Sequence, residues 1–231
     1  VVLSIWKIAP ALLAGNTLVL KPSPFTPMTV LRIGELVRDF VPAGVLNIIT
    51  GGAALGPLMT AHPGFDKVSF TGSTATGRRV MASAAPTLKR LTLELGGNDA
   101  AIVMPDVDVA EIAPKLFWAA FNNNGQICIA TKRLYIHVDI YDALRDRLVQ
   151  LAKSIKVGDG AEQGTVLGPI QNKRQFDRVK ALIDDAREQG LVLIEGAAVP
   201  DNGGFFVPVT LVDNPPENSR VVQEEAFGPV L

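Results

Sequence analysis

The chain has 231 residues, with 22 Lys or Arg against 23 Asp or Glu, so its formal net charge at pH 7 is −1. This balance excludes a nucleic-acid-binding protein held by bulk positive charge, and 48% hydrophobic against 19% charged residues excludes a disordered chain. No apolar run reaches the roughly 18 residues of a membrane span, and one cysteine cannot form an internal disulfide, so a cytoplasmic location is expected.

Both ends of the chain are apolar, and the first residue is Val1 rather than methionine. Free termini are usually polar and exposed. The pattern predicts a piece of a longer polypeptide, and the alternative is a chain whose ends pack against a partner.

Short apolar runs alternate with helical patterns over the first 95 residues. Strands are predicted at 16–20, 45–49, 67–70 and 88–95, and helices at 4–14, 27–40, 51–61 and 71–84. This rhythm predicts right-handed βαβ units in a parallel sheet. The strands are continuously apolar, which indicates that both faces of the sheet are covered.

The pattern changes at Gly96-Gly97. Strands are predicted at 100–104, 133–138 and 191–195, and helices at 108–121, 140–155 and 171–189, with a polar irregular segment at 122–126 and a loop-rich end. We therefore expect a domain boundary near Gly96, which divides the chain into residues 1–96 and 97–231.

Cys128 closes the polar, turn-forming segment Asn122-Asn-Asn-Gly-Gln-Ile. A lone cysteine is more often a small buried apolar residue than a nucleophile, but this loop also supplies amides that could surround an oxyanion. His62 lies in a turn and His137 in a strand, and both are expected to be structural. A Cys–His protease is therefore disfavoured, and a nucleophilic Cys128 must be activated in another way.

Glu94 ends the fourth predicted strand, in Leu93-Glu-Leu-Gly-Gly97. Ligands of open parallel sheets bind beyond the carboxyl ends of the strands. Glu94 is therefore predicted to be a general base whose pKa is raised by apolar surroundings. The alternative is an edge-strand carboxylate that faces water.

The segment from Phe70 to Gly77 joins a strand to a helix and contains Gly72 and Ser73. A glycine there lets the backbone approach a phosphate, which the helix N-terminus attracts. It is not a P-loop, because Arg78-Arg79 stand where Lys-Ser or Lys-Thr is needed. Lys21 follows the first strand, where it could reach a ribose or a phosphate, or be an ordinary solvated lysine.

Taken together, five segments resemble the aldehyde dehydrogenase superfamily over residues 1–231: Lys21-Pro-Ser23, Phe70-Thr-Gly-Ser73, Leu93-Glu-Leu-Gly-Gly97, Asn123-Asn-Gly-Gln-Ile-Cys128 and Glu225-Ala-Phe-Gly-Pro229. The resemblance implies an α/β fold, with a Rossmann-like parallel sheet of the cofactor domain followed by part of an α/β catalytic domain. Residues 1–96 would form part of the NAD(P)-binding domain, and residues 97–231 part of the domain that carries the nucleophilic cysteine.

The resemblance also implies a reaction and a site. An aldehyde would be oxidised to a carboxylic acid by NAD(P)+ through a thiohemiacetal and a thioester on Cys128, and Glu94 would activate the hydrolytic water. The residues implied in cofactor binding are Lys21, Ser23, Gly72, Ser73, Gly77, Glu225 and Phe227, with a less secure match at Gln175.

Further implications concern partners. The substrate would be a small aldehyde, the cofactor NAD or NADP, and the full-length protein a homodimer or homotetramer; no metal, nucleic acid or membrane is expected. Pro24 stands where many NAD-preferring members have a glutamate, which makes NADP use plausible. The family's Trp-Asn-Phe-Pro segment would precede Val1, and its C-terminal portion would follow Leu231.

Two alternatives stay open at this stage. One is an inactive fragment that binds a nucleotide or assembles with other subunits. The other is a relative that transfers its acyl group to coenzyme A, although a base such as Glu94 favours water as the acceptor.

Overall fold

Eight helices and eight strands follow one another along the chain, which a computed structural model describes over residues 1–231. The chain divides into two units, Val1–Leu95 and Gly96–Leu231. The division lies next to the predicted boundary near Gly96, while what each part binds stays a prediction. None of the helices is long and apolar enough to cross a bilayer.

The first unit alternates helices and strands as predicted, and both pairs of strands are parallel. β1 pairs with β2, and β3 pairs with β4. The predicted continuous sheet is present as two separate hydrogen-bonded pairs. The elements are α1 (Val2–Leu13), β1 (Leu18–Leu20), α2 (Met28–Val37), β2 (Leu46–Ile48), α3 (Leu55–Ala61), β3 (Lys67–Thr71), α4 (Thr74–Ala84) and β4 (Arg90–Glu94).

Local signals explain the ends of these helices. Helix α1 stops before Gly15, whose φ of +74° is readily adopted only by glycine. Helix α4 starts after Ser73, whose side chain accepts a hydrogen bond from the Thr76 amide. The apolar cluster of this unit is small, with Ile8, Leu20 and Val30 as its buried members, and Val80 and Ala84 of α4 are buried outside it.

The second unit contains one parallel and one antiparallel pair of strands. β5 pairs with β6 in parallel, and β7 pairs with β8 in antiparallel orientation. The elements are β5 (Asp99–Val103), α5 (Val109–Phe121), β6 (Thr131–Ile136), α6 (Tyr141–Ser154), α7 (Lys173–Glu188), β7 (Val192–Glu195), β8 (Thr210–Asp213) and α8 (Arg220–Gln223).

Three details differ from the sequence-based expectation. Strand β8 and helix α8 lie in the stretch predicted to be loop, because each has only four residues and prolines flank them, which leaves no periodic pattern to detect. Strand β6 ends at Ile136, so His137 is not in a strand. Instead, the His137 Nδ1 atom accepts a hydrogen bond from the Asp139 amide at 3.3 Å and caps a 3₁₀ turn.

Two apolar clusters form the core of the second unit. The first joins α5 and α6, where Phe117, Phe121 and Leu144 are fully buried. The second gathers around α7, with Val179 and Leu182 fully buried. Helix α5 is fixed at its start by Asp108, whose carboxylate accepts hydrogen bonds from two amides of the first turn.

Candidate functional site

The Cys128 loop is built on a left-handed turn. Asn123, Asn124 and Gly125 have φ values of 52°, 59° and 69° in succession. Asparagine and glycine adopt this region more readily than other residues, which explains the Asn-Asn-Gly sequence. Cys128 follows three residues later, in a second turn, and is partly exposed, so the residue is not enclosed in an apolar core.

Side-chain hydrogen bonds hold this loop in place. The buried side-chain amide of Asn124 donates to the Gly168 carbonyl at 2.9 Å, and Gln126 Oε1 accepts from the backbone amide of Gln171 at 2.8 Å. Both bonds tie the loop to the segment that precedes α7. The strained turn is thus stabilised by hydrogen bonds to another segment of the chain.

Gly96 and Gly97 bring two other motifs of the sequence together. A Cβ atom at Gly97 would lie 2.4 Å from the Cys128 carbonyl oxygen, and one at Gly96 would lie 2.1 Å from a Glu225 carboxylate oxygen. The Gly97 amide also donates to Glu225 Oε1 at 3.1 Å. A side chain at position 97 would clash with the Cys128 backbone, and one at position 96 would force the Glu225 carboxylate to move, so the Gly-Gly pair permits the close approach of the Cys128 loop and Glu225.

Glu225 is half-buried within the second unit. Burial raises the pKa of its carboxyl group, while the Gly97 amide and the charges of Arg178 and Lys132 act in the opposite direction. Two residues further on, the Phe227 carbonyl accepts a hydrogen bond from the Gln175 side chain at 3.2 Å. Gln175 therefore supports the Glu225–Pro229 segment through the backbone of Phe227.

Lys132 on β6 was missed by the sequence analysis. It is only 5% exposed, and its ammonium group donates to the Gly228 carbonyl at 2.7 Å. Burial lowers the pKa of Lys132 to about 8, against an opposing effect of the Glu225 charge. The sequence prediction began this strand at residue 133, one residue after Lys132, so the lysine was not recognised as part of a strand, where a buried charge needs a partner.

Glu94 lies in the first unit, at the carboxyl end of β4 as expected, but its side chain is exposed. The predicted apolar enclosure of this carboxylate is therefore wrong for this chain. The reason is that β4 is hydrogen-bonded only to β3 and is an edge strand. The Glu94 carbonyl accepts a hydrogen bond from the Gly72 amide at 3.0 Å, which places these two motifs side by side.

A second residue missed by the sequence analysis, Lys7 on α1, is coupled to Glu94. Its ammonium group donates to Ser69 Oγ at 3.0 Å. Burial lowers the pKa of Lys7, and the charge of Glu94 acts in the opposite direction. The Glu94 carboxylate thus has a cation within electrostatic range in its own unit.

Lys21 lies just beyond the carboxyl end of β1. Its ammonium group donates to the Pro22 carbonyl at 3.0 Å and to the Gly51 carbonyl at 3.4 Å. The side chain of Ser23 is exposed, and its oxygen accepts from the Phe25 amide at 3.3 Å. This edge therefore presents a cation and a hydroxyl, groups suited to a ribose or a phosphate.

The turn before α4 suits a phosphate group. Gly72 and Ser73 are exposed, and the first turn of this 11-residue helix contains no acidic residue. Gly77 differs from expectation, because it is buried and a Cβ atom there would lie 2.6 Å from the Leu95 side chain. Gly77 thus permits close packing of α4 on the Leu95 side chain, while its implied place beside the pyrophosphate stays a prediction.

Within the second unit, then, the Cys128 backbone and the Glu225 carboxylate both lie against Gly96-Gly97. Within the first, Gly72 lies beside Glu94 at the β3–β4 edge, and Lys21 lies beyond β1. These features define an α/β protein with a partly exposed cysteine on a rigid loop next to a half-buried carboxylate.

Comparison with known proteins gives the family. The sequence profile of the aldehyde dehydrogenase family matches residues 1–231. A probable aldehyde dehydrogenase from Pseudomonas sp is 54% identical over 201 residues, which are 87% of this chain and 41% of that protein. The chloroplastic betaine aldehyde dehydrogenase of Beta vulgaris is 45% identical over 230 residues, covering 98% of this chain and 46% of that protein. The chain belongs to the aldehyde dehydrogenase family.

Solved structures agree on the fold. A mutant of aldehyde dehydrogenase C from Pseudomonas syringae, complexed with NAD+ and octanal, matches with a TM-score of 0.91 and 40% identity over 96% of this chain and 47% of that chain. Betaine aldehyde dehydrogenase from Staphylococcus aureus, in complex with NAD+, matches with a TM-score of 0.93 and 35% identity over 99% and 46%. The α/β fold expected from the sequence is confirmed, and the chain spans about half the length of the relatives it matches.

Proposed function

We propose that the whole protein oxidises an aldehyde to a carboxylic acid with NAD or NADP, with Cys128 as the nucleophile and Glu94 as the general base. One observation carries the proposal. Three motifs that are far apart in the sequence, Gly96-Gly97, the Cys128 loop and Glu225–Pro229, meet in direct contact within the second unit. Contacts this close support a site in which a nucleophilic Cys128 acts near a Glu225 carboxylate that binds a ribose hydroxyl.

The Cys128 thiolate attacks the carbonyl carbon of the aldehyde and forms a thiohemiacetal, whose oxyanion is stabilised by nearby amide groups. When bound, the nicotinamide cofactor supplies the two-electron acceptor that turns this adduct into a thioester. Glu94 then takes a proton from a water molecule that attacks the thioester, and Cys128 leaves as the thiolate. The exposure of Glu94 supports this role, because its carboxylate is open to water.

The proposed cofactor contacts are those that the family resemblance implies. Lys21 and Ser23 would bind the adenosine ribose, the turn at Gly72-Ser73 would bind the pyrophosphate, and Glu225, with Phe227 beside it, would bind the nicotinamide ribose. Residues 1–95 would accordingly supply most of the cofactor site, and residues 96–231 the nucleophile. Pro24 places no carboxylate beside the adenosine ribose, so a 2′-phosphate is not repelled there and both NAD and NADP are accepted.

The substrate class follows from the relatives. One structural relative was solved with octanal, and others are betaine aldehyde dehydrogenases, so a small aldehyde is the proposed substrate. We further propose a homodimer or homotetramer and a cytoplasmic location.

The test is replacement of the nucleophile. Cys128→Ser in the whole protein should abolish aldehyde-dependent formation of NADH or NADPH, because a serine hydroxyl is far less acidic than a thiol and stays protonated, which makes it a poor nucleophile. Binding of NAD+ should be retained, and Ser154→Ala, an exposed substitution on α6, should leave turnover unchanged. Acid quenching of the wild type during turnover, followed by intact-mass analysis, should show an acyl group on Cys128.

Two outcomes would contradict the proposal. Substantial aldehyde oxidation by the serine variant would exclude Cys128 as the nucleophile. Acyl transfer to added coenzyme A, without release of the free acid in its absence, would identify the protein as an acyl-transferring relative.

A further inference from the structure

The Lys132 ammonium group has no part in the reaction described above, yet it lies between two of the motifs that build the site. We propose that Lys132 is a positioning residue, which holds the Glu225–Pro229 segment against the Cys128 loop and thereby keeps the Glu225 carboxylate in place for the nicotinamide cofactor. This inference rests on the proposed function and adds a residue to it.

Lys132 contacts both the Glu225–Pro229 segment and the Cys128 loop. Its ammonium group donates to the Gly228 carbonyl at 2.7 Å. A Cβ atom at Gly125 would lie 2.6 Å from the same nitrogen and 2.2 Å from the Gly228 carbonyl oxygen. The Lys132 side chain thus reaches Gly228 through the space left by the missing side chain of Gly125, which belongs to the Cys128 loop.

Burial explains why this bond is important. Lys132 is 5% exposed, so its charge has lost most of its contact with water and must be compensated by protein groups. The compensating groups are the Gly228 carbonyl and the Glu225 carboxylate, which attracts the ammonium group. A neutral side chain of similar length at position 132 would remove this attraction.

The Glu225 carboxylate is in turn affected by the charge of Lys132. This carboxylate is also faced by the Gly97 amide and by the charges of Arg178 on α7 and Asp99 on β5, and Asp99 repels it. Lys132 is therefore one of two cations that favour the ionised carboxylate. Without the charge of Lys132, the Glu225 carboxylate loses one of the groups that hold it in place, so loss of Lys132 should weaken cofactor binding more than chemistry.

The experiment compares Lys132→Gln and Lys132→Met with Glu225→Gln and the Lys132→Gln/Glu225→Gln double variant in the whole protein. Equilibrium dissociation constants for NAD+ and NADP+ are measured by titration, and kcat at saturating cofactor. Lys115→Gln, an exposed lysine on α5, is the matched control. We expect both Lys132 substitutions to raise the dissociation constants about tenfold, with kcat changed less than about threefold. The dissociation constants of the double variant should lie within about twofold of those of Glu225→Gln, because both substitutions remove the same interaction.

A pH series on the wild type gives a second readout that does not depend on a folded variant. The dissociation constant for NAD+ should rise as the pH is raised from 7 to 9.5, since Lys132 loses its charge at a pKa of about 8, and the rise should be absent in Lys132→Met. If the variants do not fold, a flat wild-type profile still overturns the inference.

The outcomes separate the two proposals. A wild type that binds neither NAD+ nor NADP+ would overturn the proposed function. A wild type that binds them, together with a Lys132→Gln variant of unchanged affinity or an additive double variant, would overturn only the role of Lys132.

Discussion

Residues 1–95 contribute five of the 29 buried apolar residues of the chain, whereas residues 96–231 contribute the other 24. The exposed large apolar side chains are distributed the other way, with 14 of 22 in residues 1–95. Helix α1 shows the contrast, because Ile8 is its single buried residue although the helix is largely apolar.

The comparison between the two units shows that similar alternation of strands and helices in the sequence does not give cores of similar size. The second unit contains long helices whose apolar faces are covered on α5, α6 and α7, so it should open only at a high free energy. In the first unit the strands have three to five residues and the buried cluster has three members. Local opening should therefore occur first in residues 1–95.

The largest expected effect tests where the stabilising core lies. Phe117→Ala should lower the free energy of unfolding by about 3–5 kcal/mol, because Phe117 is fully buried and packs on Phe121 with ring centroids 4.8 Å apart. Phe40→Ala, at a side chain that is 85% exposed, should change it by less than about 0.5 kcal/mol. Urea unfolding followed by circular dichroism provides the measurement, and equal losses at the two positions would break the comparison.

An intermediate effect concerns pH and the second unit. Burial lowers the pKa of Lys132 to about 8 in the folded chain, against 10.5 unfolded. Between these values the unfolded chain holds a proton that the folded chain has released, so the free energy of unfolding should rise with pH. We expect a gain of about 1–2 kcal/mol between pH 7.5 and 9.5 from this group.

The control for the pH experiment is Lys132→Met, measured by urea unfolding at both pH values. The free energy of unfolding of this variant should rise less between pH 7.5 and 9.5 than that of the wild type, because the variant lacks the titrating Lys132 side chain. Tyr141, whose pKa is raised to about 12 mainly by burial, stabilises the folded state below pH 10 and loses this effect only at higher pH, so it does not interfere. Identical gains in both proteins would show that Lys132 does not titrate in this range.

The smallest expected effect compares one helix cap in each unit. Asp108→Ala should cost about 1–2 kcal/mol and Ser73→Ala about 0.5–1 kcal/mol, because Asp108 accepts two amide hydrogen bonds, at 2.8 and 3.2 Å, and Ser73 accepts one at 3.3 Å. Hydrogen exchange of the first turns of α5 and α4 measures each loss locally. Asp108→Asn and Ser73→Thr should restore most of the protection, and a larger loss at Ser73 would contradict the ranking of the units.

Much of the fold could be predicted from the sequence, because its signals are local. The helical spacing of apolar residues predicted the helices α5, α6 and α7 to within a few residues of their observed ends. Strand β8 and helix α8 could not be found, since four residues between prolines carry no period. The antiparallel pairing of β7 with β8 depends on contacts between distant segments, for which no local signal exists.

The candidate site divides in the same way. The motif around Cys128 and the position of Glu94 at a strand end could be predicted from residue types and turn-forming preferences. The exposure of Glu94, the packing role of Gly77 and the burial of Lys132 were not, because each depends on which side chain from elsewhere comes within contact distance.

By itself, the sequence determined the family motifs, the order of most elements and the left-handed turn that Asn123, Asn124 and Gly125 favour. Only the tertiary structure decided that Gly96-Gly97, Glu225 and Cys128 lie together and that a lysine ammonium group fills the space beside Gly125. The physical reason is range. Backbone preferences act within a few residues, whereas close packing and the compensation of a buried charge depend on atoms that are about a hundred residues apart in the chain and meet only on folding.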